Sequence, residues 1–153
     1  MADTRHVGND YSLYVNPTSE PALPDEITNY TLVGLEIGHE ISTSAAEIAA
    51  SDKTSGAWSN TFTGEQNYTL TVTGHLAKDG NAGVDILETA NLATTSSGKL
   101  VYWLSTTNAT GDDQRRGSAR VTEFAITENN GEMATFTCTL SGVGAYTKED
   151  VDA

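Results

Sequence analysis

Along residues 31–41 the apolar side chains fall on alternate positions, Val33, Leu35, Ile37 and Ile41, with Gly34, Glu36, Gly38 and Glu40 among the residues between them. A period of two predicts a half-buried strand, because successive side chains point to opposite faces. The pattern returns at residues 67–73, where Tyr68, Leu70 and Val72 share one face and Asn67, Thr69, Thr71 and Thr73 the other. Gly64, Glu65 and Gln66 predict a turn just before it. Between the two strands, residues 42–57 lose the alternation to Ser, Thr, Ala, Asp and Gly, with Ile48 alone interrupting, until Trp58 and Phe62 restart it. Hairpin loops usually take about two to five residues. The segment therefore reads as a long inter-strand arm, and having no apolar face of its own it is expected to order against something else.

The other elements follow from the same reading. Tyr11, Leu13 and Val15 alternate with polar neighbours and predict a first strand ended by Pro17; residues 17–29, holding all three prolines, predict a surface connection. From Gly83 the spacing becomes helical, with Val84, Ile86, Leu87 and Leu92 forming a short apolar stripe. Residues 100–104 are apolar on both faces and predict a central strand. Asp112, Asp113, Gln114, Arg115 and Arg116 read as a solvated turn rather than a phosphate or metal site. Ala119 and Val121 then fall out of phase with Phe124 and Ile126, which a bulge near Thr122 and Glu123 would reconcile. Asn129, Asn130 and Gly131 predict a hairpin turn into a strand over residues 132–142, with Ala134, Phe136, Cys138 and Leu140 on one face. Gly142 and Gly144 are expected to release an acidic tail over residues 147–153.

These elements make a mainly β chain, a β-sandwich with one short flanking helix and the arm. At 153 residues and 37% hydrophobic content it is large enough for a single domain with a real core. The net charge of −13, from 21 acids against 8 bases, excludes ordinary nucleic-acid binding, which relies on Lys and Arg neutralising phosphates. Residues 1–10 carry charges and no apolar stretch, so no secretory leader is expected, and no run approaches the roughly 20 apolar residues of a membrane span. A single cysteine, Cys138, permits no internal disulfide and reads as a small core hydrophobe. His6, His39 and His75 lack metal-ligand spacing, and no His stands in a Ser or Cys constellation. No catalytic residue, cofactor or metal is expected.

The run Glu47, Ile48, Thr54, Ser55, Gly56, Ala57 and Trp58, followed by the Thr-rich strand from Tyr68 to Gly74, resembles the major tail tube proteins of long-tailed, siphovirus-type bacteriophages. The downstream order is similar too: a helix rich in Ala and Leu, an apolar strand, a strand opening with Gly117, Ser118 and Ala119, a hairpin at Asn130 and Gly131, and a close on Gly142, Gly144 and Thr147. The resemblance implies a structural virion protein, assembled in the bacterial host cytoplasm, that stacks as hexameric rings into a tube through which DNA passes during ejection without specific binding. It implies an inter-ring arm carrying Ser44, Glu47, Ile48, Lys53, Thr54 and Gly56, rooted by Trp58, and a channel wall to which Glu36 and Glu40 contribute. It also implies partners: further copies of the chain, a tape measure protein, a tail terminator and a distal tail protein. The alternative reading is a stand-alone β-sandwich that binds carbohydrate or protein through Trp58, Tyr68, Tyr102 and Trp103.

Overall fold

The structure, a computed structural model, describes residues 11–17, 30–34, 36–49, 61–78, 82–107, 109 and 111–150. Its elements are β1 (Ser12–Asn16), β2 (Thr31–Leu32), β3 (Glu36–Ala49), β4 (Thr61–His75), α1 (Ala82–Leu92), β5 (Leu100–Thr106), β6 (Asp113–Thr127), β7 (Thr135–Gly142) and β8 (Thr147–Asp150). All pairings are antiparallel and join one sheet in the order β2-β1-β5-β6-β7-β4-β3, with β8 added on β6. The two faces of the expected sandwich are thus halves of one rolled sheet. They meet where β3, at one end of the order, comes against β1: the Leu13 N–H donates to Glu36 Oε2 at 3.1 Å.

The alternating positions fill the interior. Leu13 and Val15 of β1, Leu70 and Val72 of β4, Val101 and Trp103 of β5, Ala119 and Val121 of β6, and Phe136, Cys138 and Leu140 of β7 are all buried in one cluster. Each large apolar side chain so buried contributes roughly 1.5–3 kcal/mol. α1 lies over β6 and the β1–β2 pair through Val84, Leu87 and Ala90. A Cβ on Gly83 would meet the Leu32 carbonyl oxygen at 2.6 Å, so only glycine lets the helix start this close to β2. Leu92, placed on the apolar stripe by its spacing, is instead exposed at the helix end.

The phase change in β6 is a bulge at Thr122, where Val121 pairs with Leu140 and Glu123 with Thr139. The extra residue brings Phe124 opposite Cys138 and Ile126 opposite Phe136, the same face that Val121 shares with Leu140. The chain reverses after β6 with Gly131 at φ 81 and a bond from Glu132 N–H to the Asn129 carbonyl.

Five expectations are corrected. Residues 31–41 do not form one strand: β2 pairs with β1, β3 pairs with β4, and the chain breaks between them at Val33 and Gly34. Ile37 is exposed because it is the extra residue of a second bulge, between Glu36 opposite Gly74 and Gly38 opposite Thr73. Gly64, Glu65 and Gln66 lie within β4, not in a turn. Residues 147–150 do not leave as a tail and residues 113–116 are no solvated turn. They pair as β8 on β6, with Arg116 Nε 2.9 Å from Glu149 Oε1 and Lys148 Nζ 3.3 Å from Asp113 Oδ2.

Candidate functional site

The expected arm begins as strand. β3 runs on through Ala49 and pairs with β4 out to Thr61, so residues 42–49 extend the sheet as a ribbon instead of a loop. The backbone ladder continues here without any apolar alternation because no face is buried. β7 supports β4 only from Thr69 to His75. Beyond Asn67 the ribbon therefore has two strands. Every residue over 42–49 is exposed, as are Thr63, Glu65, Gln66 and Asn67.

A two-stranded ribbon with both faces in water is marginal by itself. Ser44 Oγ donates to Asn67 Oδ1 across its base at 2.7 Å, and Ile48 stands 55% exposed near its far end. Ser44, Glu47 and Ile48 share this ribbon. Lys53, Thr54, Gly56 and Trp58 lie outside the described residues.

The two proposed channel carboxylates differ. Glu40 is exposed on β3 opposite Thr71. Glu36 is turned inward, its side chain only 11% exposed, with Oε2 accepting from Leu13 N–H and Oε1 in a short contact with His39 Nδ1. The same imidazole reaches the neighbouring half of the sheet, where Nε2 lies 2.8 Å from Ser105 Oγ on β5.

The expectation that no His joins a Ser constellation is thus overturned. Ser105, His39 and Glu36 form a chain wired in the order of a nucleophilic triad, and no local motif announces it because Ser105 lies 66 residues from His39. Ser105 itself is only 3% exposed. A groove of about 860 Å³ runs beside this chain, bounded also by Tyr11, Leu32, Ile37, Arg115 and Tyr146.

Cys138 is buried, and desolvation pushes its thiol up to about 12, the state of a core hydrophobe and not of a nucleophile. Among the described residues no three His, Cys, Asp or Glu side chains gather as metal ligands, and no helix is long and apolar enough to cross a membrane. Of the aromatic residues of the binding-module reading, Trp103 and Tyr68 are buried and Tyr102 is half-buried, while Trp58 lies outside the described residues.

Comparison with known proteins agrees with this architecture. The fold is similar to the tail of an empty gene transfer agent particle refined with C6 symmetry, at TM-score 0.70 and 13% identity over 95% of this chain and 99% of that one. It is similar to the SPP1 tail tube, at TM-score 0.71 and 14% identity over 96% of this chain and 80% of that one. A chain of the sixfold-symmetrised anti-feeding prophage baseplate matches at TM-score 0.68 and 8% identity, over 99% of this chain and 100% of that one. No curated protein sequence matches. The profile described as phage tail tube protein matches residues 7–148, nearly the whole sequence, and the chain belongs to that family of structural proteins.

Proposed function

We propose that the chain polymerises as hexameric rings stacked into a tail tube, with the β3–β4 ribbon of one ring packing on the next. The observation that carries this reading is the ribbon itself. It continues a hydrogen-bonded ladder past the last supporting strand and exposes both faces, so its stability depends on a surface supplied from outside the domain. Sixfold symmetry in the gene transfer agent tail and the anti-feeding prophage baseplate supports the ring number.

Contacts between unlike patches close into a ring under rotation, and the same kind of contact repeats into a filament along an axis. β3 also leaves one long strand edge, a liability in a monomer and a joint in an assembly. The charge suits a channel that carries DNA: six copies each contribute −13, and carboxylates on the bore repel phosphates as they pass. Glu40 is the free carboxylate for that wall, whereas Glu36 is engaged at the ribbon root. The tube would lie in the virion tail, assembled in the host cytoplasm, around a tape measure protein and between a tail terminator and a distal tail protein.

Electron microscopy of the concentrated, purified chain tests this. Hollow tubes of stacked rings are expected. A folded protein that stays monomeric even with tail-initiator components present would contradict it.

A further inference from the structure

We propose that the Glu36–His39–Ser105 chain is the lock that sets the direction of the β3–β4 ribbon, with His39 as its positioning residue. The inference rests on reading the ribbon as the inter-ring arm, and it assigns a task to three residues at its root.

The ribbon is a cantilever. Among the described residues its outer part is exposed on both faces, so within them its direction is set where it leaves the body. Residues 42–49 span about 23 Å at roughly 3.3 Å per residue, so a tilt of about 10° at the root moves the far end by about 4 Å. That displacement approaches the ~4.8 Å spacing between neighbouring strands. A small error at the root would therefore misplace any strand or side chain offered to an adjacent ring.

At the root, β4 holds one edge of β3. On the other side Glu36 and His39 make the contacts that tie β3 to β1 and β5. Two residues three apart on a regular strand point to opposite faces. Here the extra residue Ile37 shifts the phase, so that Glu36 and His39 turn to the same side and touch. The bulge leaves Ile37 60% exposed and in exchange aims two polar side chains into the body.

The connections are complementary. Nδ1 of the ring meets one carboxylate oxygen of Glu36 and Nε2 meets the Ser105 hydroxyl, which can donate or accept, while the second carboxylate oxygen of Glu36 is held by the Leu13 N–H. Three strands, β1, β3 and β5, are joined through one carboxylate–imidazole pair. Because Ser105 and Glu36 are largely shielded from water, each bond fixes geometry that water would otherwise loosen.

The test is the width of a distance distribution, measured by pulsed electron paramagnetic resonance on the full chain diluted until sedimentation shows it unassembled. Spin labels go on Glu47→Cys at the ribbon and Thr94→Cys on the body; Cys138, buried and held as a thiol, stays unlabelled. His39→Ala and Ser105→Ala are each expected to broaden the distribution by about 4 Å, matching the tilt argument, with the near-ultraviolet circular dichroism of the core unchanged. The double variant should broaden no further, because either deletion breaks the same chain.

Unchanged width in both folded variants would overturn the proposal. So would broadening in His39→Ala alone, since the link to β5 would then be idle. Ser105→Ala removes a single hydroxyl and keeps the test usable where His39→Ala does not fold. The widths are read on unassembled protein, so a failure to form tubes would count against the arm reading and leave these values to be judged separately.

Discussion

Trp103 donates its indole N–H to the hydroxyl of Tyr68 at 3.2 Å, and that hydroxyl donates in turn to the Ser118 carbonyl at 2.5 Å. The pair joins β5 to β4 through the interior, with Tyr146 edge-on to Tyr68 at a centroid distance of 5.2 Å and tilted against Trp103 at 6.0 Å. Tyr68→Phe keeps the ring and leaves a buried indole N–H and a carbonyl without this partner. A loss of about 1–3 kcal/mol is expected in urea unfolding, the usual cost of an orphaned buried group. An unchanged midpoint would show that the hydroxyl is dispensable.

Gly142 forms the floor beneath the same ring: a Cβ there would run into the edge of Tyr68. Gly142→Ala is expected to cost about 1–3 kcal/mol by overpacking. Gly117, where an added Cβ would meet the Tyr68 hydroxyl oxygen at 2.8 Å, should respond in the same direction. Thermal melts of the two alanine variants check this, and a stabilised Gly142→Ala would contradict the packing.

Burial pushes the Cys138 thiol from its ordinary 9.0 up to about 12. The unfolded chain therefore gives up this proton first as pH rises, and ionisation favours unfolding. The stability that Cys138 contributes is complete below pH 9.0 and is lost as pH climbs toward about 12. Unfolding free energies of the native chain and of Cys138→Ala, compared across that window, should converge as pH rises. A constant difference would place the thiol in water.

Glu149 Oε1 accepts from Gln114 Nε2 at 3.1 Å and is ion-paired with Arg116, whose Nε lies 2.9 Å away. Glu149→Ala removes a group that ties β8 to the start of β6, leaving the buried Gln114 amide without this acceptor and Arg116 without this counter-charge. Hydrogen exchange over residues 147–150 is expected to accelerate, with a global cost of about 1–3 kcal/mol. Protection retained in the variant would mean that the backbone ladder alone holds β8.

What was legible in the sequence is what burial writes there. Tyr68, Leu70 and Val72, and Phe136, Cys138 and Leu140, alternate because one face of each strand is in the core; the phase slip between Val121 and Phe124 exposed a bulge for the same reason. Ile37 misleads because the alternation continues through a bulge whose only signature is a pairing across 38 residues, Gly74 opposite Glu36. Residues 42–49 looked like a loop because a ribbon exposed on both faces carries no apolar pattern. β8 escaped because charges, not apolar side chains, pair it to β6. The Glu36–His39–Ser105 chain is a product of the rolled sheet, and no local spacing encodes it.

The most direct test of the tube reading compares the full chain with one in which residues 45–66 are replaced by Asn-Gly, a two-residue turn that closes the ribbon just beyond the Ser44 and Asn67 pair. Both are concentrated and imaged by electron microscopy. The account predicts tubes from the full chain and none from the shortened one, whose circular dichroism and melting should still report an intact core. Tubes of the same ring spacing from the shortened chain would contradict it.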